Sequence, residues 1–175
     1  MSMKIFPEGG ETKIAIIDPA KKFGDAGQYI TQEGSIKDME MLAVEARRTK
    51  KEIRWYYRDL VTAADETVAS QIIVTEIPPK HVQPFHTHHT LHEVTLVISG
   101  QIAAIDSKFL SENVRFETLK ENAGAILGPM QMVVEGPGTR HTIMNVGEEY
   151  ALLVTTQTAR IPLEEFPHDW HRDGK

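Results

Sequence analysis

The stretch PFHTHHTLHEVTLVISG, residues 84–100, contains four of the chain's eight histidines and one glutamate, followed by a run of β-branched residues. Successive side chains of an extended strand point to opposite faces, so His86 and His88 would lie on one side of the chain, about 6.5–7 Å apart at the backbone. That separation allows two imidazoles to bind the same ion. The stretch therefore predicts a metal site built on β-strands.

The same alternation distinguishes between the neighbours His92 and Glu93. Glu93 opens the β-branched segment and can turn inward after a short loop, so His92 would face the other way. A helical zinc-protease site, with His88 and His92 one turn apart, needs a glutamate directly after the first histidine. His89 occupies that position. We therefore expect Glu93, and neither His89 nor His92, to join His86 and His88 as a metal ligand.

A fourth candidate ligand lies far downstream, in the segment EGPGTRHTIMN, residues 135–145. Its glycines predict a tight turn that delivers His141 onto the following strand. Asn145 follows four residues later on the same face.

Composition restricts the chemistry that such a site can use. The formal net charge is -6, which provides no basic surface of the kind that nucleic acid or an anionic membrane requires. Cysteine is absent, so disulfides, thiolate metal sites and cysteine nucleophiles are excluded. No apolar run approaches the roughly 18 residues of a membrane span. These properties favour small-molecule chemistry in the cytoplasm.

After Ser70 the chain consists of short β-branched runs separated by turn residues, which predicts an all-β sandwich or barrel. Before that point, residues 35–51 have the spacing of a helix, with Ser35 and Asp38 as a capping box and Leu42 and Ala46 on its apolar face. Residues 106–124 form a polar insertion that we expect to be a hairpin or a solvated surface loop. The runs are QIIVTEI, EVTLVIS, QIAAI, MVVE, HTIMN and ALLVTT.

These residues resemble the two motifs of the cupin superfamily. The first motif, G-x5-H-x-H-x3,4-E-x6-G, is matched by His86, His88, Glu93 and Gly100. The second, G-x5-P-x-G-x2-H-x3-N, is matched by three residues. Lys80 and Met130 replace the two leading glycines, and the proline is displaced by one residue to Pro137. The residues that match the second motif are Gly138, His141 and Asn145.

The resemblance implies an all-β fold, the cupin double-stranded β-helix or jelly-roll barrel, with an N-terminal extension that contains a helix. On this reading, residues 1–66 form an N-terminal arm and helix that pack on the barrel. Residues 67–163 form the barrel, and residues 164–175 are a C-terminal tail.

The resemblance also implies one divalent metal ion, which could be iron, manganese, nickel or zinc, held by His86, His88, Glu93 and His141. We expect a metal-dependent enzyme that acts on a small oxygenated molecule, with a dioxygenase-type oxidoreductase favoured. The alternatives are a non-redox isomerase or lyase, in which Glu93, His89 or His92 would act as the catalytic base, and a cupin that binds a metal or small ligand without turnover.

The expected partners are a small-molecule substrate and a second copy of the chain in a homodimer, with no nucleic acid and no membrane. The segment EIRWYYRDL, residues 52–60, or the N-terminal strand would contribute to the dimer interface.

Overall fold

Strands make up most of the chain that the computed structural model describes, which comprises residues 4–6, 14–16, 27–31, 41–58, 69–111, 113–161 and 170–172. Each of the six β-branched runs expected after Ser70 forms a strand, as predicted. The helices are α1 (Met41–Thr49) and α2 (Phe116–Glu121); the strands are β1 (Lys4–Phe6), β2 (Ile14–Ile16), β3 (Gly27–Thr31), β4 (Ile53–Arg58), β5 (Ala69–Ile77), β6 (His86–His88), β7 (His92–Ser99), β8 (Ile102–Asp106), β9 (Ala125–Leu127), β10 (Met132–Glu135), β11 (Arg140–Asn145), β12 (Ala151–Ala159) and β13 (Trp170–Arg172).

Two antiparallel sheets form the barrel. One has six strands in the order β10-β7-β12-β5-β4-β3, and the other has five in the order β13-β6-β11-β8-β9. Between β5 and β12 the chain changes sheet at every connection except the one from β8 to β9. Short strands that alternate in this way between two facing sheets form a jelly roll. The predicted all-β double-stranded β-helix, with a helix in its N-terminal extension, is confirmed.

The inner face of the six-stranded sheet changes from apolar to polar along its strands. Val97 and Leu153 belong to the apolar core that both sheets share. Two residues along each strand, Thr95 and Thr155 lie opposite one another with their hydroxyl oxygens 2.8 Å apart. Two residues further along the strands, four buried polar side chains lie in register across four strands. We call this set the polar row. It consists of Glu135, Glu93, Gln157 and Gln71.

The insertion after β8 does not form the hairpin or solvated loop that we expected. It contains α2, whose Leu119 is fully buried against Phe85 and Met144 on the outer side of the five-stranded sheet. Arg140 holds the insertion against the barrel. Its guanidinium lies over the Phe85 ring and donates hydrogen bonds to the carbonyls of Ser107 and Leu110. The expectation was wrong because the apolar residues of the insertion are separated by polar residues along the sequence. In the folded chain they nevertheless pack together against the five-stranded sheet.

The N-terminal helix packs against β4 and β5. Leu42 and Ala46 are buried, as their spacing predicts, whereas the expected cap of Ser35 and Asp38 lies outside the described residues. Strands β3 and β4 extend the six-stranded sheet, and β3 was not expected from its polar, glycine-containing sequence. The proposed division between residues 66 and 67 stays a prediction, because residues 59–68 lie outside the described part of the chain.

A buried carboxylate connects this N-terminal unit to the barrel. Glu52, just before β4, forms an ion pair with Arg54, and its Oε2 lies 3.0 Å from Nε2 of His81 in the loop after β5. Burial alone would raise the pKa of Glu52, but the Arg54 charge and the contact with His81 lower that pKa to about 2. The carboxylate is therefore ionised across the physiological range.

The turns that flank the motif strands keep a left-handed backbone even without glycine. Lys80 and Met130, at the positions of the two missing motif glycines, have φ of 61° and 65°. The Lys80 amide donates to the carbonyl of Asn145 over 3.1 Å, and the Met130 amide donates to the carbonyl of Val97 over 2.8 Å. Hydrogen bonds to neighbouring strands therefore hold the shape that glycine usually permits.

Candidate metal centre

Three strands bring four potential ligands together inside the barrel. His86 and His88 come from β6, Glu93 from β7 and His141 from β11, and all four side chains are buried. Each residue offers one ligand atom, and these four atoms all lie within 4.8 Å of one another. The imidazole centroids are 4.4 Å apart for His86 and His141 and 4.9 Å apart for His86 and His88. The structure therefore assembles the four residues that strand alternation and turn placement select.

Backbone carbonyls orient two of the imidazoles. Nδ1 of His86 lies 2.9 Å from the carbonyl oxygen of Pro84, and Nδ1 of His141 lies 2.9 Å from that of Thr139. A carbonyl can only accept a hydrogen bond, so Nδ1 carries the proton in both rings and Nε2 keeps its lone pair. Such a hydrogen bond from the opposite ring nitrogen is typical of histidines that bind metals.

The polar row holds the glutamate. Gln157 donates a hydrogen bond from Nε2 to Oε2 of Glu93, and the hydroxyl of Thr95 donates to Oε1 over 3.4 Å. Oε2 also lies 3.2 Å from Nε2 of His88, and Oε1 lies 4.0 Å from Nε2 of His141. The carboxylate thus faces the imidazoles in an orientation fixed by its own strand and by β12.

The electrostatics of the cluster favour the protonation states that metal binding requires. Burial raises the pKa of Glu93, but hydrogen bonds from His88 and Gln157 outweigh it and lower that pKa to about 2. Burial, with a smaller effect from the nearby His141, lowers the pKa of His86 to about 3. Burial also lowers the pKa of His141. At neutral pH Glu93 is therefore ionised, and His86 and His141 are neutral.

The donor set fits a divalent metal ion. Metal–ligand bonds of roughly 2.0–2.2 Å place neighbouring ligand atoms about 3–4 Å apart, which includes the distances from Glu93 to His88 and His141. Nε2 of His141 is buried and makes no hydrogen bond to any described residue. A ligand atom oriented by its neighbours but lacking a partner is what a metal ion would satisfy. Nitrogen and oxygen donors of this kind suit iron, manganese, nickel and zinc.

The other two histidines of the opening stretch lie outside this cluster. His89 is exposed in the bend after β6, and His92 is exposed at the start of β7. The strand alternation that brings Glu93 inward turns His92 outward, as expected. Neither histidine belongs to the cluster of four ligands, and their suggested roles in catalysis stay predictions.

The sequence reasoning missed Glu135. It lies at the end of β10, directly opposite Glu93 on the neighbouring strand, and it is buried. Burial, followed by the charges of Glu93 and Asp106, raises the pKa of Glu135 to about 8. The position of Glu135 could have been inferred from the alternation of side chains along MVVE, residues 132–135. That alternation places Glu135 on the same face as the half-buried Val133.

Asp106 is a second acidic residue beside the cluster. It ends β8 opposite His141, and alternation along β8 places it on the same face as Ile102 and Ala104, which belong to the shared core. Unlike those residues, Asp106 is exposed. It therefore marks the solvent-facing side of the site.

Comparison with known proteins finds similarity in structure alone. No family model and no curated protein matches the sequence. An uncharacterised protein with a double-stranded β-helix domain from Klebsiella pneumoniae is 18% identical over 61% of this chain and 71% of that chain, with a TM-score of 0.45. A cupin sugar phosphate isomerase from Silicibacter pomeroyi is 14% identical over 60% of this chain and 59% of that chain, with a TM-score of 0.42. The protein TT1209 from Thermus thermophilus is 20% identical over 73% of this chain and 98% of that chain, with a TM-score of 0.46.

The chain thus matches less than two thirds of the length of the sugar phosphate isomerase. At such identities and TM-scores, assignment of the chain depends on its own features. Those features are two facing antiparallel sheets whose strands alternate as in a jelly roll, and motif residues that converge inside them. The chain therefore has the double-stranded β-helix fold, and the residues that resemble the cupin motifs converge inside it.

Proposed function

We propose that the chain is a metal-dependent enzyme that acts on a small oxygenated molecule. The observation that supports this proposal is the buried cluster of three imidazoles and one carboxylate, in which His86 and His141 are oriented by backbone carbonyls. A divalent ion held there would supply a Lewis acid, and iron would also supply redox chemistry with dioxygen. The chain itself fixes the ligands, and its shared apolar core closes the barrel beneath them.

A dioxygenase-type oxidoreductase is our first candidate. Three histidines and one carboxylate, without any thiolate, are donors that divalent iron accepts. In such an enzyme Gln157 and Thr95 would hold Glu93 in place, and the buried position of the site would limit access of water to the substrate.

A non-redox isomerase or lyase is the second candidate, and Glu135 favours it. This carboxyl group lies beside Glu93 but is not one of the four clustered ligands. A buried carboxyl next to a bound substrate can hold or move a proton, which reactions of this kind require. Glu135 would then be a stronger candidate for the base than the exposed His89 and His92.

Metal analysis of the purified protein and of three variants tests the proposed site. We expect His86→Ala and His141→Ala each to remove most of the bound metal, measured by mass spectrometry, and His92→Ala to retain it. Loss of metal from the His92 variant, or full retention in the other two, would contradict the assignment of ligands.

Oxygen uptake then distinguishes the candidate reactions. Consumption of dioxygen by the iron(II) form that depends on an added chelating substrate supports the dioxygenase. Turnover without oxygen uptake, with zinc, manganese or nickel bound, supports the isomerase or lyase. Metal binding without turnover of any oxygenated substrate would indicate a binding protein and would overturn the enzymatic proposal.

The expected homodimer is likewise a proposal. Strand β10 forms one edge of the six-stranded sheet, and its Met132 and Val134 are exposed, which provides apolar surface that a second copy of the chain would cover. A monomer in light scattering at micromolar concentration would count against it.

Within the described residues, no helix has the length and apolar character needed to cross a bilayer.

A further inference from the structure

The last strand of the chain lies next to the strand that carries two of the candidate ligands. β13 forms an edge of the five-stranded sheet and pairs antiparallel with β6. The register places Trp170 opposite His88 and Arg172 opposite His86. Residues directly opposite one another in an antiparallel pair share a face of the sheet. Trp170 and Arg172 therefore belong to the face on which His86 and His88 lie.

One row of residues in register crosses four strands of this sheet. Arg172 lies opposite His86, which lies opposite His141. Asp106 follows, opposite His141. Neighbouring strands are about 4.8 Å apart, so the backbone of Arg172 is one strand from the nearest ligand and roughly 14 Å along the sheet from that of Asp106. The row thus has a basic residue at one end, an acidic residue at the other and two candidate ligands between them.

The metal centre itself would carry net positive charge with a divalent ion bound. Glu93 is ionised at neutral pH, whereas imidazoles bind metals in their neutral form. The charge of a divalent ion therefore exceeds the single negative charge of the ligand set. An anionic oxygen atom of a substrate is attracted to such a centre.

An arginine beside this centre favours the same class of substrate. Its guanidinium stays protonated at every physiological pH, and its planar fork of N–H donors matches the oxygens of a carboxylate or a phosphate. A basic residue close to a cationic centre is repelled by it, and an anion bound between the two offsets that repulsion. Asp106 is too distant to do so, since roughly 14 Å exceeds the screening length of about 8 Å in physiological salt.

We propose that β13 completes the substrate-binding site, and that Arg172 binds a carboxylate or phosphate group of a substrate whose other oxygens bind the metal ion. This inference rests on the proposed function and deepens it, because the small oxygenated molecule is then a hydroxy acid or a hydroxycarbonyl phosphate. Arg172 acts here as a specificity-determining residue.

Titration of the cobalt(II)-loaded protein, followed by visible absorption, tests the proposal with three small probes. Glycolate carries a carboxylate, dihydroxyacetone phosphate carries a phosphate, and dihydroxyacetone is the neutral comparison. We expect the wild type to bind at least one of the anions more tightly than dihydroxyacetone, and the tighter anion identifies the group that is recognised. Arg172→Gln should weaken binding of that anion by about tenfold or more, because a hydrogen bond to a charged group is lost. It should change dihydroxyacetone binding by less than about threefold.

Two further variants make the result specific. Arg172→Lys keeps the positive charge and should lose less affinity for the anion than Arg172→Gln does. Arg48→Gln is the matched control, because Arg48 is exposed on α1 and the variant has the same change in charge outside the two sheets. It should bind all three probes as the wild type does.

The outcomes separate this inference from the proposed function. Normal cobalt content in Arg172→Gln together with a selective loss of anion binding would support it. Unchanged affinities, equal weakening for all three probes, or a wild type that prefers dihydroxyacetone would overturn the inference alone. Loss of cobalt from Arg172→Gln would show that β13 supports the ligands rather than the substrate, and would also overturn it. A wild-type protein that binds no metal would overturn both proposals.

Discussion

Gln157 donates a hydrogen bond to Glu93, and its own amide oxygen accepts one from Gln71. The three residues are in register on β7, β12 and β5, and all three are buried. Gln157 can therefore present only its NH₂ group to the carboxylate, because Gln71 occupies its oxygen. The orientation of Glu93 is thus set by two neighbouring strands, independently of any ion.

Gln157→Leu should weaken metal binding without removing a ligand. The substitution deletes the donor to Glu93 Oε2 and leaves the carboxylate freer to rotate, and such changes around metal ligands typically reduce affinity by roughly 10–100-fold. Competition for zinc against a chromophoric chelator measures the effect. Gln101→Leu serves as the control because Gln101 is exposed, and it should leave the affinity unchanged. Equal affinities for the wild type and Gln157→Leu would show that Glu93 does not need this support.

The Glu52 ion-pair cluster should make stability depend on acid pH. The pKa of Glu52 is lowered from 4.5 to about 2 in the folded chain, so the unfolded chain binds more protons between these values. The stabilising effect of Glu52 is therefore fully present above about pH 4.5 and is lost as the pH falls toward about 2. Glu52→Gln should lower the free energy of unfolding by on the order of 1–3 kcal/mol at neutral pH, and the difference should vanish near pH 2.

Urea unfolding at several pH values follows this difference, with Glu148→Gln as a control at an exposed site. A difference between wild type and Glu52→Gln that stays constant down to the lowest pH would show that the carboxylate charge is not responsible.

Two motif glycines should differ in their tolerance of alanine. At Gly100, with φ of 83°, an added Cβ would lie 2.7 Å from Cα of Ala151, whereas at Gly138, with φ of 77°, it would meet nothing within 4 Å. Gly138→Ala should therefore cost only the left-handed backbone strain, about 1–2 kcal/mol. Gly100→Ala adds a clash with backbone and should cost about 2–4 kcal/mol in total. Equal losses in urea unfolding would show that the β12 backbone moves aside.

The apolar cluster between α2 and the five-stranded sheet should contribute to stability, and a substitution in it should leave the metal site unchanged. Leu119→Ala removes a fully buried side chain and should lower the free energy of unfolding by about 2–5 kcal/mol. Phe109→Ala, at a residue that is 94% exposed, is the control and should have almost no effect. Since Leu119 packs on the outer side of the five-stranded sheet, Leu119→Ala should bind zinc as the wild type does. Reduced zinc affinity would show that the insertion holds the ligand strands in place.

The ligand cluster was predictable because its signals are local. Alternation along β6 and β7 separates His88 and Glu93 from His92 without knowledge of any other strand. Glu135 was not predictable in the same way, since its place beside Glu93 depends on the register between β10 and β7, which are about 40 residues apart along the chain. Helix α2 was missed because Leu119 is buried by a sheet surface that the insertion's own sequence does not reveal.

Lys80 and Met130 have a broader consequence for recognising proteins of this kind. Their left-handed backbone is held by amide hydrogen bonds to Asn145 and Val97, so each turn forms without glycine. A sequence pattern that requires glycine at these two positions would pass over this chain, although its backbone there has the shape for which glycine is usually chosen. Distant members of such a fold are better sought through the spacing of their ligands than through the glycines of their turns.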